Sequence, residues 1–296
     1  MAKRFLDNFI LVEYDGIPYP DGYSAKLQEV AAHFDKESIA PVGAYSMHTE
    51  YSFGSRNFNT NRIAKYSALM HAHKGGVPQL WKSSAWAKEF AEFVIDLSAD
   101  FQPPTVVEVH PPFNDYCTLE DFASYYQLFE ETIHRAYPDT LIVIENRAGK
   151  RYRGGQFLVS KAKEIAALCE IIRNRELNLG IVLDFPQLLT AENIDPYKFN
   201  IEKYEAAIAT IAPQRDLIKG IHVWGKRKNA SGRQLSHQGN FDTYFGGNDT
   251  AKRVFISGIQ KICNDGLLRF FVPEVHLKSA ENLAAIVRDL DYAESR

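Results

Sequence analysis

A chain of 296 residues has room for one α/β barrel, which uses about 250 residues before insertions, and for a sizeable core. Hydrophobic content of 45% and charged content of 24% are ordinary for a globular protein. A net charge of −3 and a pI near 6.3 exclude the global basic field of a nucleic-acid binder, although a local basic patch could still hold phosphate. Cys117, Cys169 and Cys263 are far apart and form no CxxC pair, which fits a reducing, cytoplasmic setting. The start, Met-Ala-Lys-Arg-Phe, soon meets Asp7 and Asn8 and lacks the apolar core of a signal peptide. No apolar run reaches the roughly eighteen residues that span a bilayer. A soluble, unexported protein with no membrane partner is expected, and homo-oligomer formation is left open.

In chain order, strands are expected near 9–14 (FILVEY), 42–47 and 105–110 (TVVEVH), with a helix at 22–34 directly after the first. Trp86 falls in register with Phe90, Phe93, Val94 and Leu97, the spacing of a core helix face. After Asn114 the pattern becomes a βα repeat. Thr118 with Asp121 reads as a capping box opening a helix that carries Phe122, Tyr125, Tyr126, Phe129 and Ile133 on one face. Strand 141–145 follows, then a helix capped by Ser160 with Ile165, Leu168, Cys169 and Ile172 at core spacing. Strand 179–184, helix 200–212, strand 217–223, helix 250–264, strand 268–275 and a last helix from Ser279 complete the series. The expected architecture is one TIM-type (β/α) barrel domain over 1–296. About seven strands are countable where a closed barrel has eight, so the barrel reads as irregular or one strand short.

Four of these strands end in a metal-binding side chain: LIVIE at Glu145, LGIVLD at Asp184, IKGIH at His222 and FFVPE at Glu274. They lie 39, 38 and 52 residues apart, room for a loop, a helix and a return loop each time. In a parallel barrel all strand C-terminal ends share one rim, so these four converge. A lone Glu at a strand end is usually solvated or paired. Four donors at four consecutive strand ends are better explained by a shared site for Mn²⁺, Mg²⁺, Co²⁺ or Zn²⁺.

His110 and His48 also stand at strand ends, and His237 lies in the loop after the His222 strand. His71 and His73 belong instead to a helix end followed by Gly, where His favours the dipole. Lys150, Arg151 and Arg153 follow the Glu145 strand, and Lys226, Arg227 and Lys228 follow the His222 strand. Such loops either grip phosphate or sugar oxygens or are plain solvated surface. Trp224, two residues past His222, suits an aromatic wall beside a sugar ring. There is no nucleotide-type Gly-rich loop and no GxSxG elbow, which disfavours nucleotide-driven and serine-nucleophile chemistry.

From about Phe5 to the end, and most strongly from His110, the chain resembles the xylose isomerase-like barrel superfamily. That superfamily includes sugar isomerases, epimerases and the endonuclease IV family. The segment IENRAG at 144–149 looks like the endonuclease IV segment whose Glu bridges metals, and VLD at 182–184 looks like the strand that supplies the Asp. IHVWGK at 221–226 and PEV at 273–275 match the later His and Glu strands, and GNFD at 239–242 a turn common in the superfamily.

The resemblance implies a metal site of Glu145, Asp184, His222 and Glu274, with His48 and His110 joining Glu145 in the additional site of endonuclease IV. The third zinc site of that family departs here, because Gln187 and Leu235 stand at two of its three ligand positions, with His237 at the other. What it implies first is a metal-dependent isomerase or epimerase of a sugar or sugar phosphate. In that reading Glu145 and Glu274 transfer protons. His110, Arg151, Gln187, Trp224 and Lys226 contact the substrate. The rival is an endonuclease IV-like metal-dependent phosphodiesterase, against which the acidic pI leans. A non-catalytic binding barrel is a third reading.

Overall fold

The computed structural model describes residues 4–149, 151–152, 155–276 and 279–292. Eight parallel strands close into a barrel in sequential order: β1 Phe9–Glu13, β2 Leu27–Ala32, β3 Tyr45–Thr49, β4 Val106–Val109, β5 Leu141–Glu145, β6 Leu179–Asp184, β7 Ile218–Val223 and β8 Arg269–Pro273. Closure is made by β1 against β8, with Phe9 opposite Arg269 and Leu11 opposite Phe271. Helices α1 Ser84–Ser98, α2 Leu119–Ala136, α3 Ala162–Asn174, α4 Ile201–Ile211, α5 Asp249–Cys263 and α6 Ala280–Tyr292 lie outside the strands. Among the described residues no helix is long and apolar enough to cross a membrane.

The helix expected at 22–34 is instead β2, which supplies the eighth strand. Leu27, Gln28, Glu29 and Ala31 are tolerated or favoured in helices, but tertiary pairing overrides that weak preference. Leu27 pairs with Val12 of β1, and Gln28 to Ala32 pair with Tyr45 to Thr49 of β3. Alternation then sends Leu27 inward and Val30 and Ala32 outward to the main core. No long helix separates β1, β2 and β3, so the βα rhythm that is legible downstream is missing there.

Thr118 caps α2 as expected: its Oγ1 accepts from the Asp121 N–H at 3.1 Å, and an Asp121 carboxylate oxygen accepts back. Ser160 does not cap α3. The cap position is Lys161, and the Ser160 hydroxyl turns back to donate to the Phe157 carbonyl at 3.0 Å. Trp86, Phe90, Phe93, Phe122 and Phe129 are buried between the helices and the barrel wall, where they contact Trp81 or Phe34 edge-on or tilted.

The interior of the barrel decides where chemistry can occur. Val12, Leu27, Val106, Val143, Val182 and Val272 point inward from six strands and form an apolar plug. Side chains alternate with period two, so the next inward positions are Tyr14, Glu29, Glu108, Glu145, Asp184 and Glu274. His48 of β3 and His222 of β7 join them. A layer of five carboxylates and two imidazoles thus rests directly on the apolar plug, at the strand C-terminal ends.

Candidate metal centre

Two donor groups stand side by side at this rim. Glu145, Asp184, His222 and Glu274 form one, and His48, Glu108, His110 and Glu145 form the other; within each group the ligand atoms lie within 4.8 Å of one another. Glu145 belongs to both. His222 sits between them, with Nε2 at 3.1 Å from Glu108 Oε2 and Nδ1 at 3.4 Å from Glu274 Oε1 and 3.5 Å from Glu145 Oε1. His110 Nε2 is 3.1 Å from Glu145 Oε2. All of these residues are buried except His48, which is partly so.

Several atoms here are buried yet have no aligned hydrogen bond among the described residues: both nitrogens of His222, His110 Nε2, Glu108 Oε1 and Glu274 Oε2. Unsatisfied buried polar atoms are costly, and their concentration at one point is what a cation-coordinating set looks like. The tautomer of His110 agrees. Its Nδ1 lies 3.1 Å from the Glu50 carbonyl, which can only accept, so in the neutral ring Nδ1 carries the proton and Nε2 presents a lone pair. The residues therefore fit a divalent cation held by carboxylate oxygen and imidazole nitrogen.

The electrostatics show a site with more negative charge than its own residues neutralise. Burial by itself raises the Glu145 carboxyl, but Arg147, His110 and His222 outweigh it and hold the group well below the usual range. Glu274 is likewise raised by burial and brought below its ordinary value by His222 and His237. Asp184 goes the other way, pushed well up by burial and by the carboxylates of Glu145 and Glu274. Burial lowers the His222 imidazole, yet Glu108 and Glu274 carry it well above its usual value.

Glu145 and Asp184 are further fixed by neighbours. Arg147 Nη1 donates to Glu145 Oε2 at 2.7 Å. Gln187 Nε2 donates to Glu145 Oε1 at 2.8 Å and to Asp184 Oδ2 at 3.0 Å. Trp224 Nε1 donates to the same Asp184 oxygen at 2.9 Å, and the Gln187 backbone N–H to Oδ1 at 2.7 Å. Asp184 thereby caps the short helix Phe185–Ala191 as well as ending its strand.

A cleft of about 770 Å³ opens above the rim. Gln187, Trp224, Lys226, His237 and Glu274 line it, as does Arg147. The Lys226 ammonium lies 5.1 Å from the centroid of the Trp224 indole. His237 stacks on the Trp224 ring with centroids 4.5 Å apart, and its Nδ1 is 3.2 Å from the Glu274 carbonyl. His237 is in neither donor group. Arg151 belongs to a short strand pair with Gln156, but its side chain, like Lys150 and Arg153, lies outside the described residues. His71 and His73 are exposed and away from the cleft.

Glu108, Arg147 and Glu29 were not singled out from the sequence. Glu108 could have been, since it sits two residues before His110 in TVVEVH and so shares its face. Glu29 was concealed by the helical reading of its segment.

No protein-family model matches the chain, and no curated protein does. Solved structures do resemble it. The crystal structure of AsfvAP:AG aligns with a TM-score of 0.57 at 10% identity, covering 97% of this chain and 98% of that one. GH26C from Muricauda sp. MAR_2010_75 aligns at 0.44 and 11% identity, covering 96% and 88%. At such identity the first likeness is one of fold alone, an α/β barrel of TIM type.

Proposed function

We propose that the protein is a divalent-metal-dependent hydrolase acting on a phosphodiester attached to a sugar. The observation that carries this reading is the sharing of Glu145 between two adjoining donor groups, because paired cation sites are the arrangement that clamps a phosphoryl group in transfer. Divalent cations there would polarise a phosphoryl oxygen and make a bound water more acidic. Glu145, Asp184, His222, Glu274, Glu108, His110 and His48 would hold them.

The remaining tasks fall to the chain. Arg147 lines the cleft, and its buried Nε–H has no partner among the described residues, so it can donate to a phosphate oxygen while Nη1 stays on Glu145. Lys226 adds a second positive group beside the Trp224 wall. His237 lines the cleft with Nδ1 turned to the Glu274 carbonyl, so in the neutral ring Nε2 presents a lone pair that can accept a proton from the attacking water. The likeness to AsfvAP, an AP endonuclease, agrees with this class of reaction.

A sugar isomerase or epimerase is the second reading. As framed from the sequence it needs Glu145 to face a substrate carbon. Yet Glu145 is buried, does not line the cleft, and spends its oxygens on Arg147 and Gln187. Glu29 and Glu274 do line the cleft, and that keeps proton transfer on a sugar in view.

The test uses the full chain loaded with Mn²⁺ or Zn²⁺. Hydrolysis of bis(p-nitrophenyl) phosphate, or incision of a duplex with an abasic site, lost in His222→Gln, is the expected result. No hydrolysis, together with solvent deuterium entering a ketose phosphate, would select the isomerase instead.

A further inference from the structure

The two donor groups occupy the rim from β3 round to β8 and leave an arc across β8, β1, β2 and β3. That arc carries its own set. Glu29 of β2, His48 of β3 and Glu274 after β8 bring ligand atoms within 4.8 Å of one another. With it, three groups divide the whole ring and meet at three residues: Glu145 at β5, Glu274 at β8 and His48 at β3. We propose that Glu29, His48 and Glu274 form a third divalent-cation site, open to the cleft.

The ligand chemistry supports it. Glu274 is 5% exposed, and among the described residues its Oε2 has no hydrogen-bond partner; Glu29 Oε2 is equally orphaned there. Among the described residues no Lys or Arg forms an ion pair with Glu29. Two carboxylates held this close in a low-dielectric rim repel unless a cation or a proton lies between them. The mixed oxygen and nitrogen set suits Mn²⁺ or Zn²⁺ better than Ca²⁺.

Sharing does not starve the neighbours. Without His48 the β3 to β5 group keeps Glu108, His110 and Glu145, and without Glu274 the β5 to β8 group keeps Glu145, Asp184 and His222. A carboxylate can also serve two cations through its two oxygens. Glu29, His48 and Glu274 all line the cleft, so three protein ligands would leave positions facing a substrate. Where Gln187 and Leu235 break the resemblance to the endonuclease IV third site, this set draws its ligands from β2, β3 and the end of β8 instead.

Among the described residues Glu29 alone of the three serves no other group, so it isolates the question. The full chain, stripped by chelation, is titrated with Mn²⁺, and free ion is counted by electron paramagnetic resonance in parent, Glu29→Gln and Asp184→Asn. The expected result is one Mn²⁺ fewer per chain in Glu29→Gln, with parent-like circular dichroism. If Glu29→Gln fails to fold, Glu29→Asp is used instead, and one ion should bind at least tenfold more weakly. Unchanged count and affinity would overturn the inference and leave a shared proton between Glu29 and Glu274. Loss in Asp184→Asn without loss in Glu29→Gln or Glu29→Asp would do so too while sparing the proposed function. Loss in Glu29→Gln with full loading in Asp184→Asn would uphold this site and undercut that function.

Discussion

The Glu145 carboxylate and the Arg147 guanidinium, two residues apart at the end of β5, meet at 2.7 Å between Oε2 and Nη1 inside the rim. Glu145 is 1% exposed and the Arg147 side chain 13%, so the carboxylate end of the pair is desolvated while the guanidinium reaches the cleft. Removing one partner strands a buried charge. Glu145→Gln should therefore lose stability, by about 3 kcal/mol, as well as activity. Glu145→Gln with Arg147→Gln should recover part of the loss, with a coupling energy of about 1–3 kcal/mol in a double-mutant cycle. Urea unfolding of the four proteins measures it, and additive losses would remove the pair from the account.

His222 faces three carboxylates and, among the described residues, has no aligned hydrogen bond of its own. His222→Gln should weaken cation binding at least about tenfold, while secondary structure holds. Metal content after dialysis against a weak chelator checks this. Equal content in variant and parent would contradict it.

Gly225 separates Trp224 from Lys226 and lets the loop pack against the chain at Gly239. A Cβ on Gly225 would meet the Gly239 carbonyl carbon and oxygen at 2.5 Å and the Asn240 nitrogen at 2.6 Å. These are backbone atoms, which cannot rotate aside. Gly225→Ala should cost about 1–3 kcal/mol and displace the wall that Trp224 and Lys226 present to the cleft. A lowered Tm with a raised KM is expected, and an unchanged pair of values would show that the loop simply shifts.

His33 lines the cleft, and its imidazole is held down at about 3, from 6.5, by burial first and then by Arg56 and His110. The unfolded chain takes up this proton near pH 6.5, whereas the folded chain resists it until near pH 3. Across that window the unfolded state binds more protons, so stability falls as the pH drops. His33→Asn should flatten this part of the stability profile, measured by urea unfolding in chelator. A slope identical to the parent's would assign the effect to other groups.

Much of the rim was legible because the signal is local. An apolar run that ends in Glu, Asp or His states both its period and its terminus within a few residues. That is how Glu145, Asp184, His222 and Glu274 could be placed together from spacing alone, and His48 and His110 near them. The eighth strand was not legible. LQEVAA carries residues that helices accept, and nothing within it records that β1 and β3 flank it.

The chain by itself therefore determined a parallel barrel with metal-type donors at its strand ends, since alternation and βα spacing are short-range properties of sequence. Tertiary structure alone decided that Glu29 completes the ring, because its inward direction depends on the pairing of its segment between β1 and β3. It also decided that Gln187 and Trp224 tether Asp184 and that Arg147 turns back onto Glu145. Those contacts join side chains on different elements, or across the turn at a strand end. Their partners are selected by closure of the barrel, a long-range event that no window of sequence contains.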